Sequence, residues 1–303
     1  TGVGPGSALD PLGSQGSLVL TPDRRWLLAV NAGSNDISVF RVGPDGLVLV
    51  DTAPSGGYFP VSVTIFHDLV YVLNADLLNV ANPNISGLEL SHSGELMPLA
   101  GSTRDLPASA FAQVGFSPQG TELVVTDKAN DEILVFPVDR DGLPGASPEV
   151  SMSSGSTPFG FTFDPRAHLL VSEAGSGAAS SYGVRDDLAL EVISPTVANN
   201  QAATCWIATT GSYAFTANTG SSTLSAYSVH PGEGSLAILE EVAGNGNLPL
   251  DLDVTTNGRF LYVLNAGDGT VGSFRINAKG MPIDLGRTFS ADIDLHAQGM
   301  AAW

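Results

Sequence analysis

The feature that most constrains this chain is a short apolar segment that occurs six times and always ends in a polar residue. The six segments end at Asn31, Asn74, Asp127, Glu173, Asn218 and Asn265. Successive ends are about 47 residues apart on average. Periods of this length are typical of repeat architectures in which each unit packs against its neighbours.

Each repeat has the pattern of four short strands. A strand that closes on a proline turn precedes the apolar segment, as at 18–23, and an alternating strand follows it, as at 36–42. A turn with glycine and a fourth strand complete the unit, as at 45–50. Four antiparallel strands per repeat are typical of a β-propeller blade, and no segment has a convincing helical pattern. We therefore predict an all-β chain, 1–303, that forms a single β-propeller domain. The predicted blades span about 13–58, 59–108, 109–156, 157–200, 201–247 and 248–296.

The two ends of the chain do not complete a further repeat. Residues 297–303 resemble an innermost strand, but no blade follows them, and residues 1–16 are too few for three more strands. Unpaired strand edges promote aggregation. We therefore predict six complete blades plus an orphan inner strand at 297–303. A missing N-terminal segment or a second chain would complete the seventh blade.

Charge and composition exclude several classes of partner. The net charge of −19 is unfavourable for nucleic acid and for anionic membrane surfaces, and no apolar run is long enough for a membrane span. With one cysteine and scattered histidines, we expect no metal and no cofactor. A chain that begins at Thr1 fits an exported protein after removal of its signal peptide, so we expect an extracellular or periplasmic location, although a trimmed chain would look the same.

In a propeller, rigid blades position side chains around a central channel, where ligands bind. The expected lining is made of amides, hydroxyls and apolar groups, and only Arg104 and Lys128 are cations that might approach it. The residues that we expect to contact a ligand there, besides Lys128, are Gln113, Phe159, Gln201, Arg104, His296 and Gln298.

The polar residues that end the six segments have a structural and a functional interpretation. For the four Asn we favour turn chemistry, since Asn side chains bond nearby backbone and tolerate left-handed conformations. Glu173 caps such turns poorly, and Asp127 is followed by Lys128. Glu173, Asp127 and Lys128 are therefore the candidate catalytic residues, with a structural role as the alternative for the two acids.

The repeats, with their Ser/Asp-Pro turns and with GSNDISVF at 33–40, resemble the lactonase-type seven-bladed propeller family over roughly 13–303. That family includes bacterial 6-phosphogluconolactonases and fungal 3-carboxy-cis,cis-muconate lactonizing enzymes. The resemblance implies a seven-bladed fold and lactone chemistry, and it places Asp127 and Glu173 at the two acidic positions. The family's inner-strand histidine is replaced by Gln113, and its Pro-Arg-His reads Pro158-Phe159-Gly160.

These replacements remove the positive groups that an anionic lactone needs, because burying an unpaired anion costs several kcal/mol. Two functions remain open. The first is hydrolysis of a neutral lactone or sugar-derived ester, with Glu173 as general base, Lys128 polarising a carbonyl or holding Asp127 ionised, and Gln113 orienting the substrate. The second is a noncatalytic exported scaffold that holds a small neutral molecule or peptide at the channel mouth.

Overall fold

The computed structural model of the chain describes residues 10–77, 80–291, 293 and 296–303. In these residues the regular structure consists of 25 β-strands in six sheets, with no α-helix. Nothing helical in this part of the chain is long and apolar enough to cross a membrane. The prediction of an all-β propeller with six blades is therefore confirmed.

Each blade is an antiparallel sheet whose four strands follow one another in chain order from the axis to the rim. Blade 1 contains β1 (Leu18–Leu20), β2 (Trp26–Asn31), β3 (Asp36–Gly43) and β4 (Gly46–Pro54). Blade 2 contains β5 (Pro60–Phe66), β6 (Leu69–Asn74), β7 (Asn84–Leu90), β8 (Leu96–Pro98) and the short β9 (Arg104–Asp105), which also pairs with β7. Blade 3 contains β10 (Phe111–Phe116), β11 (Glu122–Asp127), β12 (Glu132–Pro137) and β13 (Glu149–Met152).

The remaining three blades repeat this order. Blade 4 contains β14 (Pro158–Phe163), β15 (Leu169–Glu173), β16 (Ala178–Val184) and β17 (Leu190–Ala198). Blade 5 contains β18 (Thr204–Thr209), β19 (Tyr213–Asn218), β20 (Thr223–Val229) and β21 (Leu236–Asn245). Blade 6 contains β22 (Pro249–Val254), β23 (Phe260–Asn265), β24 (Thr270–Ile276) and β25 (Pro282–Phe289).

The second strand of a blade is buried on both faces, because another blade packs on each side. This explains why the six repeated segments read as continuous apolar runs instead of alternating ones. In β6, all four residues of 70–73 have no exposed surface. In the outermost strand β4, by contrast, Leu47 and Val48 are about half exposed, at 53% and 51%. The buried fraction of the side chains therefore decreases from the second strand to the outermost strand.

Alternate residues of the second strand face the preceding and the following blade. In blade 1, Leu28 and Val39 point to blade 2, where they pack against Val70 and Val72. Leu27, which is paired with Phe40 across the sheet, points the other way. Each blade thus presents one apolar face to each neighbour, and five such interfaces join blades 1 to 6.

The two end blades each have one face that is less buried than its equivalents. Leu27 is partly exposed, whereas the residues at the same position in the other five blades are fully buried: Val70, Leu123, Leu169, Ala214 and Leu261. On the opposite face of blade 6, Tyr262 is partly exposed, whereas its five equivalents are fully buried: Leu28, Tyr71, Val124, Leu170 and Phe215. A cleft therefore separates blade 6 from blade 1.

Residues 296–303, the closing segment, lie in this cleft near the axis. The backbone N–H of Ala302 donates to Asp253 of β22 at 2.7 Å, and Gly299 lies against Ser17 and Leu18 of blade 1. The segment belongs to none of the sheets formed by the described residues. Residues 297–303, predicted as an orphan inner strand, form no strand and lie unpaired in the cleft.

Leu123 and Leu27 occupy the same position in two blades, and replacing each by Ala tests whether the face beside the cleft is less buried than a closed interface. We expect Leu123→Ala to lower the free energy of unfolding by about 3 kcal/mol, since it leaves a cavity in a closed interface. Leu27→Ala, at the equivalent position beside the cleft, should cost only about 1 kcal/mol, because its side chain is already partly hydrated. Denaturant unfolding of both variants checks this, and equal losses would contradict the described difference in burial.

The Asp253 carboxylate gives the closing segment a pH dependence. Burial raises the pKa of Asp253 to about 6, against the opposing effect of the N–H donors of Ala302 and Val254. The folded state therefore holds this proton more tightly than the unfolded state, and its stability falls as the pH rises from about 4 to about 6. Asp253→Asn keeps an acceptor for Ala302 but does not titrate. Between pH 4 and pH 6, we expect the free energy of unfolding to fall by about 2 kcal/mol less in the variant than in the parent.

Denaturant unfolding at pH 4 and pH 6.5 measures this difference. Asp45→Asn, at an exposed turn, is the matched control and should follow the parent. If the free energy of unfolding changes equally between the two pH values in Asp253→Asn and in the parent, Asp253 does not contribute to the pH dependence of stability.

Candidate functional site

The upper end of the channel is the end at which the inner strands begin and the second strands finish. The pairing of Pro60 with Asn74, and of Phe111 with Asp127, places the repeated polar residues at this end. A β-bulge near the start of the inner strand displaces the register in each of blades 2 to 6. Bulges re-aim side chains at such rims.

The four repeated asparagines have structural contacts. The amide of Asn31 donates to Asp36 at 2.6 Å and to Ser38 at 2.9 Å, and Asn218 makes the same pair of contacts with Thr223 and Ser225. These bonds tie the second strand to the third across the turn. The asparagines therefore stabilise this turn mainly through side chains, and not through the backbone two residues on.

Asp127 is fully buried and is also engaged in its turn. Its Oδ1 accepts the backbone N–H of Ala129 at 3.0 Å and the hydroxyl of Ser109, and its Oδ2 accepts the amide of Asn130 at 2.9 Å. Four lone-pair sites are largely occupied by these donors. The carboxylate thus holds the turn that presents Lys128 to the channel.

Glu173 is fully buried behind the upper end of blade 4. Its Oε1 accepts the hydroxyl of Ser153 at 2.7 Å and lies 3.3 Å from the Tyr182 hydroxyl, while Gly155 covers the side chain. Burial raises the pKa of Glu173, and hydrogen bonds from Ser153, Ser180 and Tyr182 oppose this. For Glu173 to activate water, the 153–157 segment must move away from it.

Residues 10–16, the crossing segment, run across the upper channel. Ser14 donates to the carbonyl of Val61 in blade 2 and accepts the indole N–H of Trp206 in blade 5, at 2.7 and 3.0 Å. The side-chain amide of Gln15 exchanges two hydrogen bonds with the backbone of Ile207, also in blade 5. The backbone N–H of Gln15 donates to Ala112 of blade 3. The crossing segment therefore links inner strands on different sides of the axis.

Lys128 and Asp10 both contact Gly13 of the crossing segment. The ammonium of Lys128 donates to the carbonyl of Gly13 and lies 5.1 Å from the centre of the Phe159 ring. Asp10 accepts the backbone N–H of Gly13 at 3.0 Å and the side-chain amide of Gln298. We call these five residues the Lys128–Asp10 cluster.

The two charges of this cluster depend on one another. Burial lowers the pKa of Lys128, and the Asp10 carboxylate partly offsets this. Burial raises the pKa of Asp10, against Lys128 and the donors of Gly13 and Gln298. The positive charge of the Lys128 ammonium and the negative charge of the Asp10 carboxylate cancel, so the cluster has no net positive charge to hold an anion.

Two of the predicted binding residues are part of the channel wall. Phe159 is buried and packs edge-on against Trp206, with ring centres 5.1 Å apart. Gln113 donates to the carbonyl of Phe161 at 3.0 Å and accepts its N–H at 2.6 Å, so its amide bridges blades 3 and 4 like a peptide group. Each polar atom of Gln113 therefore has one structural contact.

Arg104 was predicted to approach the channel, but it lies outside it. It stands on the outermost strand β9 of blade 2, and its guanidinium donates to the carbonyls of Gly145 and Pro144 in blade 3. Gln201 lies in the link that leads to β18 and accepts the hydroxyl of Thr223 at 2.9 Å. His296 is partly buried in the closing segment, as is Gln298.

Below the crossing segment the channel contains a cavity of about 340 Å³. Gln15 and Gly16 form its roof, and Phe116, Phe163 and Asp251 are among its lining residues. Burial raises the pKa of Asp251 well above its usual range. Within the part of the chain that the structure describes, no group of three or more His, Cys, Asp or Glu side chains could hold a metal ion.

The sequence did not predict the roles of Asp10, Gly13 and Gln15. Asp10 stands in a stretch rich in Gly, Pro and Ser that has no strand period, so no repeat position could be assigned to it. Gln15 lies just before β1, and its reach across the axis depends on the width of the channel, which no sequence pattern indicates. Cys205 is a buried free thiol, and burial raises its pKa to about 12, so little of it is in the reactive thiolate form.

The comparisons with known proteins agree on this architecture. The family model described as "Lactonase, 7-bladed beta-propeller" matches residues 107–292. No curated protein is similar enough in sequence to count as a match.

Solved structures share the fold at low sequence identity. A candidate 6-phosphogluconolactonase from Bacteroides uniformis has a TM-score of 0.73 and 23% identity, over 96% of this chain and 88% of that one. The periplasmic gluconolactonase of Pseudomonas aeruginosa has a TM-score of 0.74 and 18% identity, over 91% and 86% of the two chains. Virginiamycin B lyase from Staphylococcus aureus has a TM-score of 0.63 and 13% identity, over 90% and 83%. At these identities the likeness is one of fold, whereas the family match spans more than half of the chain: this protein belongs to the lactonase family of seven-bladed β-propellers.

Proposed function

We propose that this propeller binds a neutral lactone or sugar-derived ester at the upper mouth of its channel and hydrolyses it. The observation that carries the proposal is the Lys128–Asp10 cluster, in which a cation stands over an aromatic ring beside a compensating carboxylate. Membership of the lactonase family supports lactones as the substrate class.

Lys128 is suited to the carbonyl oxygen of such a substrate. The only protein acceptor within hydrogen-bond distance of its ammonium, among the described residues, is the carbonyl of Gly13. A substrate carbonyl in the place of that peptide carbonyl would accept the same donor, and negative charge that develops on its oxygen would be stabilised. The Phe159 ring beside the ammonium offers an apolar contact for the substrate ring, and Trp206 packs behind it.

Glu173 acts as the general base in this proposal, on the condition that water can reach its buried carboxyl group. With its raised pKa and full burial, Glu173 resembles the carboxyl groups that enzymes use in acid–base chemistry. Water can reach it only when the segment at 153–157 opens. Hydrolysis would then consume one water, whose oxygen attacks the carbonyl carbon while its proton passes to Glu173 and on to the leaving alkoxide.

A noncatalytic scaffold is the second candidate, and the burial of the two acids favours it. Asp127 and Glu173 are both fully buried and are held by hydroxyl donors or turn amides. Both acids then stabilise the upper end, and the Lys128–Asp10 cluster would bind a small neutral molecule or peptide without changing it.

Substitution of the two lysines tests the proposed site. In a pH-stat assay on a panel of neutral lactones, we expect Lys128→Met to lower kcat/KM at least about 100-fold, since a donor to the developing oxyanion is lost. Lys279→Met removes the other lysine of the chain, which is exposed in an outer hairpin, and should leave kcat/KM unchanged.

Glu173→Gln in the same assay separates the two candidate functions. Loss of hydrolysis in both Lys128→Met and Glu173→Gln supports the hydrolase. Hydrolysis that survives Glu173→Gln rules out Glu173 as the base. Absence of turnover by the parent, combined with ligand-induced thermal stabilisation that Lys128→Met abolishes, supports the scaffold instead.

Anionic lactones should be poor substrates, because the charges of the cluster cancel and Phe159 occupies the place of an arginine in the related pattern. We expect kcat/KM for 6-phosphogluconolactone and for carboxymuconate lactones to stay below about 10⁴ M⁻¹s⁻¹, an ordinary lower value for enzymes. A higher value in a coupled or pH-stat assay would overturn the neutral-substrate proposal.

A further inference from the structure

The lower cavity, which lies below the crossing segment, is lined by apolar and acidic groups and by no basic group. Its volume of about 340 Å³ lies within the range of small-molecule sites. Asp251 and Asp253 of β22 are the only ionisable side chains among its described lining residues. Any charge on its wall is therefore negative.

The neutral polar side chains of this wall are already engaged with the protein. The amide of Gln15 bonds the backbone of Ile207, and the amide of Gln113 bonds the backbone of Phe161. The hydroxyl of Thr209 donates to a carbonyl of its own blade at 3.0 Å. The two carboxyl groups are therefore the polar groups best able to bind a ligand.

Both carboxyl groups retain acceptor sites. Each carboxylate accepts the N–H of the next residue in β22 and one N–H of the closing segment. A carboxylate has about four acceptor sites, so two donors leave room for a ligand. Asp251 and Asp253 are two residues apart on one strand, which places them on the same side of it.

The carboxyl groups lack a cation of the protein beside them in the cavity. Burial raises the pKa of Asp251 well above its usual range, and the like charges of Asp253 and Asp10 add to this effect. Burial also raises the pKa of Asp253 to about 6. A positive charge within a few ångströms would favour the ionised form of both groups. The charge of the wall thus complements a cation.

Aromatic rings line the other side of the lower cavity. Phe116 and Phe163 end the inner strands β10 and β14, and both are partly buried. Phe116 packs edge-on against Tyr71, with ring centres 5.7 Å apart, and Phe163 packs edge-on against Phe161 at 6.1 Å. These contacts hold the two rings in place.

The order of the blades places the rings and the carboxyl groups on opposite sides of the axis. Blades 4 and 5 separate blade 3 from blade 6 in one direction around the ring. Blades 1 and 2 and the cleft separate them in the other direction. A ligand in the cavity therefore meets acidic groups at one end and aromatic groups at the other.

We propose that the lower cavity binds a small aromatic amine as its ammonium ion, with the charged group at Asp251 and Asp253 and the aromatic body against Phe116 and Phe163. A primary ammonium has three donors, which suit the remaining acceptor sites of the carboxylates. The net charge of −19 also attracts cations over longer distances. The crossing segment separates this site from Lys128, so the proposal is independent of hydrolysis at the upper mouth.

The first test compares three ligands of similar shape by isothermal titration calorimetry at neutral pH. Phenethylamine is a cation, phenylethanol is neutral and phenylpropionate is an anion. We expect one phenethylamine to bind at least about tenfold more tightly than phenylethanol, because its ammonium forms charge-assisted hydrogen bonds. We expect no measurable binding of phenylpropionate. Equal affinity for the amine and the alcohol, or a preference for the anion, overturns the proposal.

The second test removes the acidic charges one at a time. Asp251→Asn and Asp253→Asn should each weaken phenethylamine binding at least about tenfold and leave phenylethanol binding unchanged. Asp45→Asn is the matched control, since it removes the same charge from an exposed turn and should bind like the parent in about 0.15 M salt. Unchanged affinity in both cavity variants, or an equal loss in Asp45→Asn, overturns the proposal.

The third test concerns the aromatic end of the site and does not depend on the acidic variants. Phe163→Leu keeps an apolar side chain but removes the ring, so we expect phenethylamine to bind about threefold more weakly. A crystal structure of the complex should show the ligand between Phe163 and Asp251. A ligand at the upper mouth or on the outer surface overturns the proposal. If Asp251→Asn does not fold, Asp253→Asn and Phe163→Leu still test the two ends of the site.

Discussion

The packing of one blade face against the next is the interaction on which the rest of this molecule depends. A four-stranded sheet with apolar side chains on both faces cannot bury them alone, so each blade needs two neighbours. Five interfaces satisfy that requirement for blades 2 to 5, whose second strands are buried on both faces. The closed interfaces fix the inner strands around one axis, and this places the turns that carry Asp127 and Glu173 at the same end. Where a neighbour is absent, Leu27 and Tyr262 are partly exposed.

The upper mouth combines this rigid frame with a charge pair that the repeats do not encode. Most repeated polar residues there stabilise turns, as Asn31 and Asn218 do through their contacts with the third strand. Lys128 differs, because its turn is held by Asp127 while its ammonium reaches the crossing segment. The chemistry of the mouth thus depends on one cation, and Asp10 balances it. This balance is the physical reason why we propose a neutral ligand.

The sequence predicted the fold well and the site only in part. The sixfold period places β2, β6, β11, β15, β19 and β23, because a strand buried on both faces leaves a continuous apolar signal. The turn role of the asparagines was also accessible, since it depends on local spacing. Arg104 was misplaced, because the extra strand β9 moves it to the rim, and the period contains no signal for that insertion. Asp10 and Gln15 act through contacts across the axis, at separations in sequence that no local pattern encodes.

Gln15 has a further consequence for the shape of the channel. Its side chain reaches Ile207 and its backbone reaches Ala112, while the same residue roofs the lower cavity. The crossing segment therefore lies between the upper mouth, where Lys128 stands, and the cavity below it. Solutes that arrive from opposite faces meet different walls, one with an ammonium and the other with the Asp251 carboxyl.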